Sequence, residues 1–363
     1  RSILMNRTWL KGSTQWKRGL RGARQLVLLC ILACACACAP QVSTATATTT
    51  QRPTPPPTAT AFERPSETPS PGALGPVPSP TLEPILCAER VMIISLDGMR
   101  PDAVTPQGTP NTFMLSRRGA YSWTAQTILP SATLPGHASM LSGYDVPGHG
   151  LYWNDYIEAR GYIRSSTVFS IAHEHGFHTV MIVGKQKLLH IATPGTVDDF
   201  SEIRGGGDLL RADEAIEIIF EGFGVFFLHF RGPDNAGHRY GWMSPGYLEV
   251  VGEADMCVGD VLDALRWTDL DDTTLVILTS DHGGHGRTHG SDRPEDMTIP
   301  WIIAGPGVIP GLELTSEVRV YDTTATALWA LGLPLPEDLD GIPVVEAFDE
   351  RVEAECQLME ALR

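Results

Sequence analysis

The chain has 363 residues, 42% hydrophobic and 19% charged, with 28 prolines and 36 glycines, enough for one large domain or two small ones with some non-globular chain besides. Residues 1–60 carry eight basic side chains and no acid, leaving 19 basic against 43 acidic residues in the remainder. A body that acidic repels a phosphate backbone, so nucleic-acid duplex binding is not expected, and a small polyanionic substrate would need local cations such as metal ions.

Behind a basic stretch ending at Arg24, Gln25–Ala39 supplies about a dozen apolar residues before Pro40, too few to span a bilayer comfortably and suited to a signal-peptide core. Residues 1–39 are therefore read as a signal peptide. Within them Ile31-Leu32-Ala33-Cys34 resembles a bacterial lipobox, which would make Cys34 the lipidated residue. Cys36 and Cys38 compete for that role, and ordinary cleavage after an alanine or a retained anchor are the alternatives. The expected location is extracytoplasmic, lipid-anchored at the bacterial cell surface or else secreted, with membrane contact only through the anchor. Residues 40–86, rich in Thr, Pro, Ala and Ser, cannot bury enough apolar area to offset their ordering entropy and read as a disordered stalk.

Residues 87–363 form the expected single globular domain. Cys87 and Cys356 at its ends are candidates for pairing, whereas Cys257 in an apolar helical context reads as a buried thiol. Continuous apolar runs at 90–96, 177–183, 224–230, 273–279 and 299–303 predict strands buried on both faces, and helical patterns at 212–220, 247–266 and 323–331 fall between or after them. The fold class is α/β with a mostly parallel central sheet.

In such sheets, sites form at the carboxyl ends of strands. The first run ends in Asp97-Gly98, the third leads into Pro233-Asp234-Asn-Ala-Gly-His238, and the fourth ends in Ser280-Asp281-His282-Gly283-Gly284, with His289 seven residues further on. Taken singly, each has an ordinary reading: a turn at Asp97-Gly98, a surface loop pair at Asp234 and His238, an Asx turn at Asp281. Together, three Asp and three His suffice for two metal ions, and oxygen and imidazole donors without thiolate make zinc the default. Thr133 stands just before Pro135, placing its hydroxyl in the first turn of a helix, where it is either an N-cap or a group facing a bound anion. A hydroxyl held by a metal ion needs no separate general base, so His137, one turn on, is read as structural.

These blocks resemble the type I phosphodiesterase/nucleotide pyrophosphatase group of the alkaline phosphatase superfamily: Ser95-Leu-Asp97-Gly-Met-Arg100, Thr133-Leu-Pro-Gly-His137 through Ser142-Gly143, Gly148-His-Gly-Leu-Tyr-Trp-Asn154, Pro233 to Gly241, and Ser280 to Gly284. Leu331 to Gly341 is similar to the superfamily's closing segment. The resemblance implies an alkaline-phosphatase-like three-layer sandwich with a small cap, and a metal-dependent hydrolase of phosphodiester or nucleotide pyrophosphate bonds. It makes Thr133 the nucleophile of a phosphothreonine intermediate and Asn154, 21 residues later, the amide that holds a phosphoryl oxygen. It assigns Asp97, Asp281 and His282 to one of two divalent ions, most simply Zn2+, and Asp234, His238 and His289 to the other. His285 is nearby, but the Thr298-Ile-Pro-Trp-Ile-Ile run follows His289 as it follows the family's last histidine.

Two departures bear on substrate. Leu134 stands where relatives that grip a base carry an aromatic residue, and the segment 185–221 is short for a capping insertion, which implies an open site flanked by Tyr152, Trp153, Tyr240 and Trp242, unless these rings serve packing. A phosphomonoesterase and a phosphonoacetate-type hydrolase remain as alternatives on the same site, as does a catalytically dead surface binding module. Sulfatases need a modified Cys or Ser at the nucleophile position, and Thr133 is neither. The expected partner is a small phosphate ester.

Overall fold

The computed structural model describes residues 88–350. The signal peptide, the lipobox, the stalk and the Cys87–Cys356 pairing lie outside the described residues.

The strands are β1 (Arg90–Leu96), β2 (Ala120–Gln126), β3 (Thr179–Val183), β4 (Asp199–Glu202), β5 (Val225–Phe230), β6 (Thr274–Thr279), β7 (Thr298–Ala304) and β8 (Leu312–Glu313). The helices are α1 (Pro110–Arg118), α2 (Thr133–Ser142), α3 (Val146–His149), α4 (Val168–Glu174), α5 (Leu209–Glu221), α6 (Gly232–Tyr240), α7 (Pro245–Trp267), α8 (Pro294–Met297) and α9 (Asp322–Ala330). All the strands join one sheet in the order β4-β3-β5-β1-β6-β7-β2-β8. Only β7 runs against its neighbours; every other pairing is parallel.

The apolar runs at the centre of the sheet follow from burial on both faces. Along β1, Val91 and Ile93 face one core while Met92, Ile94 and Leu96 face the other; β5 and β6 divide in the same way. Side chains of α2, α4 and α9 complete the first core, and those of α5, α6 and α7 complete the second. The result is three layers, helices on sheet on helices, the stable arrangement for a sheet with two apolar faces.

Four adjacent parallel strands, β3, β5, β1 and β6, therefore point their carboxyl ends to the same edge. From β1 the chain crosses to β2 near one side of the sheet, whereas β3, β4 and β5 build the other. This switch in direction leaves a crevice above β1 and its neighbours, where an α/β sheet accommodates a ligand. The segment between β3 and β5 supplies edge strand β4 and helix α5, and Lys185, Lys187, Glu202 and Arg204 from it wall the crevice. No helix among the described residues is long and apolar enough to cross a membrane. Cys257 is buried in α7 with its thiol free, and burial raises its pKa to about 12.

Candidate active site

Asp97 is the first residue beyond β1, and Ser280, Asp281 and His282 follow β6 directly. Asp234 and His238 lie one turn apart on α6, not in the surface loop their sequence also allowed, because Pro233 opens that helix. His289 comes from the loop before α8. Two glycines let these segments close up. Gly98 has φ +72°, and a Cβ there would lie 3.0 Å from the Asp234 Cα. At Gly136, in the first turn of α2, a Cβ would lie 2.6 Å from the Asp281 carbonyl oxygen, so only glycine lets that helix press against the strand end.

The six predicted ligands fall into two sets. Ligating atoms of Asp97, Asp281 and His282 lie within 4.8 Å of one another, and so do those of Asp234, His238 and His289. The His282 and His289 rings stack at 3.8 Å across the gap between the sets. In all three histidines Nδ1 is engaged by a backbone carbonyl: Gly283 at 2.7 Å from His282, Ser131 at 2.8 Å from His289, Arg287 at 3.0 Å from His238. A carbonyl only accepts, so each Nδ1 carries the proton and each Nε2 presents its lone pair, the tautomer a metal requires. Burial lowers the pKa of His289 to about 4, with the neighbouring His282 adding to the effect, so that ring is neutral at physiological pH.

The inward-facing atoms are the ones left without hydrogen-bond partners. Asp97 Oδ1, Asp234 Oδ1, Asp281 Oδ2 and His282 Nε2 are buried without a hydrogen bond, and the three carboxylate oxygens have only histidine nitrogens 3.3–3.6 Å away. Buried polar atoms ordinarily find a hydrogen-bond partner, and three carboxylate oxygens and one imidazole lone pair left without one at this edge of the sheet are what two divalent cations would satisfy. A third group of potential ligands, Asp97, His137 and His229, has a different character. Its imidazole nitrogens are already bonded: His137 to Ser95 Oγ and the Thr133 carbonyl, His229 to the Gly184 amide and Asp97 Oδ2. The Gly184 N–H donates to His229 Nδ1, so His229 Nε2 must carry the proton it gives to Asp97 Oδ2, which leaves Asp97 Oδ1 turned toward the ligand set.

Thr133 is the first residue of α2, whose N-cap residue Ala132 makes no capping hydrogen bond; the Thr133 hydroxyl accepts from Lys185 Nζ at 3.1 Å. Lys185, two residues beyond β3, also reaches Asp97 Oδ2 at 2.7 Å and Asp234 Oδ2 at 2.6 Å. Its three donors thus hold the outer oxygen of one aspartate from each ligand set together with the threonine hydroxyl, while the inner aspartate oxygens stay free. Burial alone would raise the pKa of Asp97 and of Asp234, but the ammonium holds both below the usual carboxylate range. Burial alone would lower that of Lys185, and the two carboxylates outweigh it, so the lysine stays charged.

Asn154 Oδ1 accepts from the Leu134 amide at 3.0 Å, which leaves the NH2 end of the side chain to donate. The Leu134 side chain is fully buried in the core and offers no surface for stacking. A cavity of about 520 Å³ opens above Thr133, walled by Asn154, Tyr156, Lys185, Lys187 and Arg231, with Asp234, His238 and His289 at its floor. Tyr152, Trp153, Tyr240 and Trp242 do not line it. Trp242 instead packs behind the ligands, its Nε1 donating to the Gly98 carbonyl at 2.8 Å and its ring 5.2 Å from that of His238. Lys185 and His229 are site residues that the sequence reading missed. Lys185 stood after a strand end, as Asp97 did, and His229 was the one ionisable residue in the apolar run Val225–Phe230.

The type I phosphodiesterase/nucleotide pyrophosphatase family model matches residues 91–174 and 196–294. The chain belongs to that family. Human ectonucleotide pyrophosphatase/phosphodiesterase family member 5 is 24% identical over 215 residues, covering 54% of this chain and 45% of that protein. Bovine arylsulfatase K is 33% identical over 109 residues, 29% of this chain and 20% of that protein. The chain thus spans a fifth to under half of the length of these curated relatives. Among solved structures, an inactive threonine-to-alanine form of the murine ectonucleotide pyrophosphatase/phosphodiesterase 5, in complex with AMP, superposes with a TM-score of 0.62 at 14% identity, over 72% of this chain and all of that one. A 2-O GAG sulfatase superposes at 0.61 and 16% identity, over 72% of this chain and 74% of that one. These superpositions establish an alkaline-phosphatase-like fold common to the phosphodiesterase and sulfatase branches.

Proposed function

We propose that this chain hydrolyses phosphate esters, foremost phosphodiester or nucleotide pyrophosphate bonds, through a phosphothreonine on Thr133 beside a two-zinc site. The observation that carries the reading is the Thr133 hydroxyl at the floor of a cavity, flanked by two Asp/His sets whose unpaired atoms face inward. Divalent cations bound there would lower the pKa of the threonine hydroxyl and draw charge from the phosphoryl oxygens.

The chain's own groups have defined parts in this chemistry. Thr133 Oγ1 attacks phosphorus; as that P–O bond forms, the bond to the leaving alcohol breaks, and water later cleaves the phosphothreonine to return the free hydroxyl. Lys185 holds Oγ1 in place and its charge favours the deprotonated oxygen. Asn154, fixed by the Leu134 amide, offers its NH2 to an equatorial phosphoryl oxygen.

Membership of the family supports the ester class, and AMP held by the murine relative supports a small nucleotide or similar phosphate ester as substrate. Because Leu134 is buried, any base would be gripped elsewhere. Sulfuryl transfer through a modified Cys or Ser lacks its precursor at Thr133. The basic and apolar leader supports an extracytoplasmic location.

The test is Thr133→Ala alongside wild type on bis-p-nitrophenyl phosphate and p-nitrophenyl phosphate, with metal content measured in both proteins. Turnover should fall at least 10³-fold on the order seen when covalent nucleophiles are removed, with metal content unchanged; undiminished hydrolysis would refute the assignment. Tight metal without turnover of any ester or phosphonate by wild type would instead favour a binding module. The ratio of the two wild-type rates separates diesterase from monoesterase.

A further inference from the structure

The cavity above Thr133 holds more positive charge than catalysis at one phosphoryl group uses. Four basic side chains line it in an otherwise acidic protein: Lys185, Lys187, Arg204 and Arg231. Lys185 is committed to Asp97, Asp234 and Thr133. Arg204 is committed to Glu202 through two hydrogen bonds, the longer at 3.0 Å. Lys187 and Arg231 remain. Neither forms an ion pair among the described residues, and the Arg231 guanidinium makes one long hydrogen bond, 3.3 Å, to the Gly184 carbonyl.

The backbone sets both beside the cavity, and the Arg231 side chain is packed there as well. Lys187 sits in the helical turn Gln186–His190, two residues beyond Lys185, and is half-buried. Arg231 precedes α6, and its side chain lies against Gly184, where a Cβ would come within 2.9 Å of Arg231 Cδ. The glycine keeps the guanidinium beside the same loop that carries both lysines. Burial and the neighbouring Lys185 charge press the pKa of Lys187 down against the opposing pull of Asp97, Asp234 and Asp155, the last of which also lines the cavity, and an anion bound there would relieve what remains of that cost.

We propose that Lys187 and Arg231 form a subsite for a second anionic group, phosphate or carboxylate, carried by the substrate beyond the phosphoryl group that reacts at Thr133. The substrate class is then a phosphate ester bearing a second anion, bound at two points in one cavity, and neutral aryl or alkyl diesters are its poorer analogues. An ammonium and a guanidinium side by side suit such a group, because the planar fork takes two oxygens while the ammonium adds a point charge. This inference rests on the phosphoesterase reading of the same site.

The experiment measures equilibrium binding by calorimetry to the metal-loaded protein, so that no turnover is involved. The probes are ω-phosphonocarboxylates of three to five carbons, each paired with its own neutral amide, and the α,ω-bisphosphonates of matching length. For at least one length a charged form should bind wild type tenfold or more tightly than its amide, and the better of bisphosphonate and carboxylate identifies the second group. In Lys187→Gln/Arg231→Gln the ratio should fall to about one, with amide affinity kept within threefold. Lys187→Gln alone, which leaves the Gly184 packing untouched, should lose part of the ratio.

Equal binding of charged and neutral probes at every length, or a double variant that keeps the preference, would overturn the subsite while leaving the phosphoryl site standing. Failure of every phosphonate to bind would count against the site reading and the subsite together.

Discussion

Replacing Lys185 by methionine separates the two kinds of positive charge this site is built to hold. The ammonium is 2.7 Å from Asp97 Oδ2 and 2.6 Å from Asp234 Oδ2, and the two carboxylate side chains are only 0% and 5% exposed. At an effective dielectric of about 20, each contact contributes about 6 kcal/mol of Coulomb attraction, against which stands the desolvation of the ammonium. Removing one partner of such a buried pair costs about 3–5 kcal/mol net, because the carboxylates stay behind without compensation. That loss should appear in full in urea unfolding with EDTA present. With saturating Zn2+ the same carboxylates are neutralised through their inner oxygens, Asp97 Oδ1 and Asp234 Oδ1, and the loss should shrink to about 1 kcal/mol. The zinc-induced gain in stability is then larger in Lys185→Met than in wild type. Equal losses with and without metal, or a loss below about 1 kcal/mol in EDTA, would refute the claim that lysine and metals share these two carboxylates.

Two further outcomes follow from the geometry. His229→Asn removes the N–H that turns Asp97 Oδ1 inward and should weaken metal binding at the Asp97 set about 10–100-fold, as loss of an outer-shell partner does, while the Asp234 set keeps its affinity; an unchanged zinc titration would contradict this. His149, bonded to Ser139 Oγ and the Leu151 amide, has its pKa lowered by burial from 6.5 to about 4. Between those values the unfolded chain takes up the proton and the folded one does not, so this contribution to stability is complete above pH 6.5. It should be lost as pH falls toward 4, by about 3 kcal/mol. His149→Gln should flatten that part of the stability-versus-pH curve, and an unaltered slope would show that the ring does not titrate as described.

Much of the architecture was legible because strands buried on both faces write themselves as unbroken apolar runs. β1, β3, β5, β6 and β7 are found within two residues of their expected starts, and so are the ends of α7 and α9. β2, Ala-Tyr-Ser-Trp-Thr-Ala-Gln, was not legible, since it mixes polar residues into a strand that pairs with antiparallel β7 and with the two-residue β8. α6 was not among the expected helices, because Gly232, Asp234 and Asn235 are poor helix formers, a propensity that Pro233 in the first turn and packing against α7 override. At the site, the Asp and His residues were visible because they follow strands in recognisable blocks. Lys185 was hidden because a lysine after a strand is ordinarily a solvated charge; only the topology, which sets β3 beside β5 and β5 beside β1, brings its ammonium to the two aspartates. The wall of the cavity was not legible for a related reason, since the sequence left open whether Tyr152, Trp153, Tyr240 and Trp242 line the site or pack. Trp242 packs behind the ligands, Tyr152, Trp153 and Tyr240 do not line the cavity, and its wall comes from Asn154–Tyr156, from edge strand β4 and from the segments after β3 and β5.

The central claim is that two cation sites flank one threonine hydroxyl. Anomalous diffraction at the zinc edge from zinc-equilibrated crystals tests it most directly. The account predicts two peaks about 3.5–4 Å apart, one within bonding distance of Asp97, Asp281 and His282 and the other of Asp234, His238 and His289, with Thr133 Oγ1 beside them and Lys185 still on the outer carboxylate oxygens. A single peak, with the Lys185 ammonium filling the other position, would contradict it.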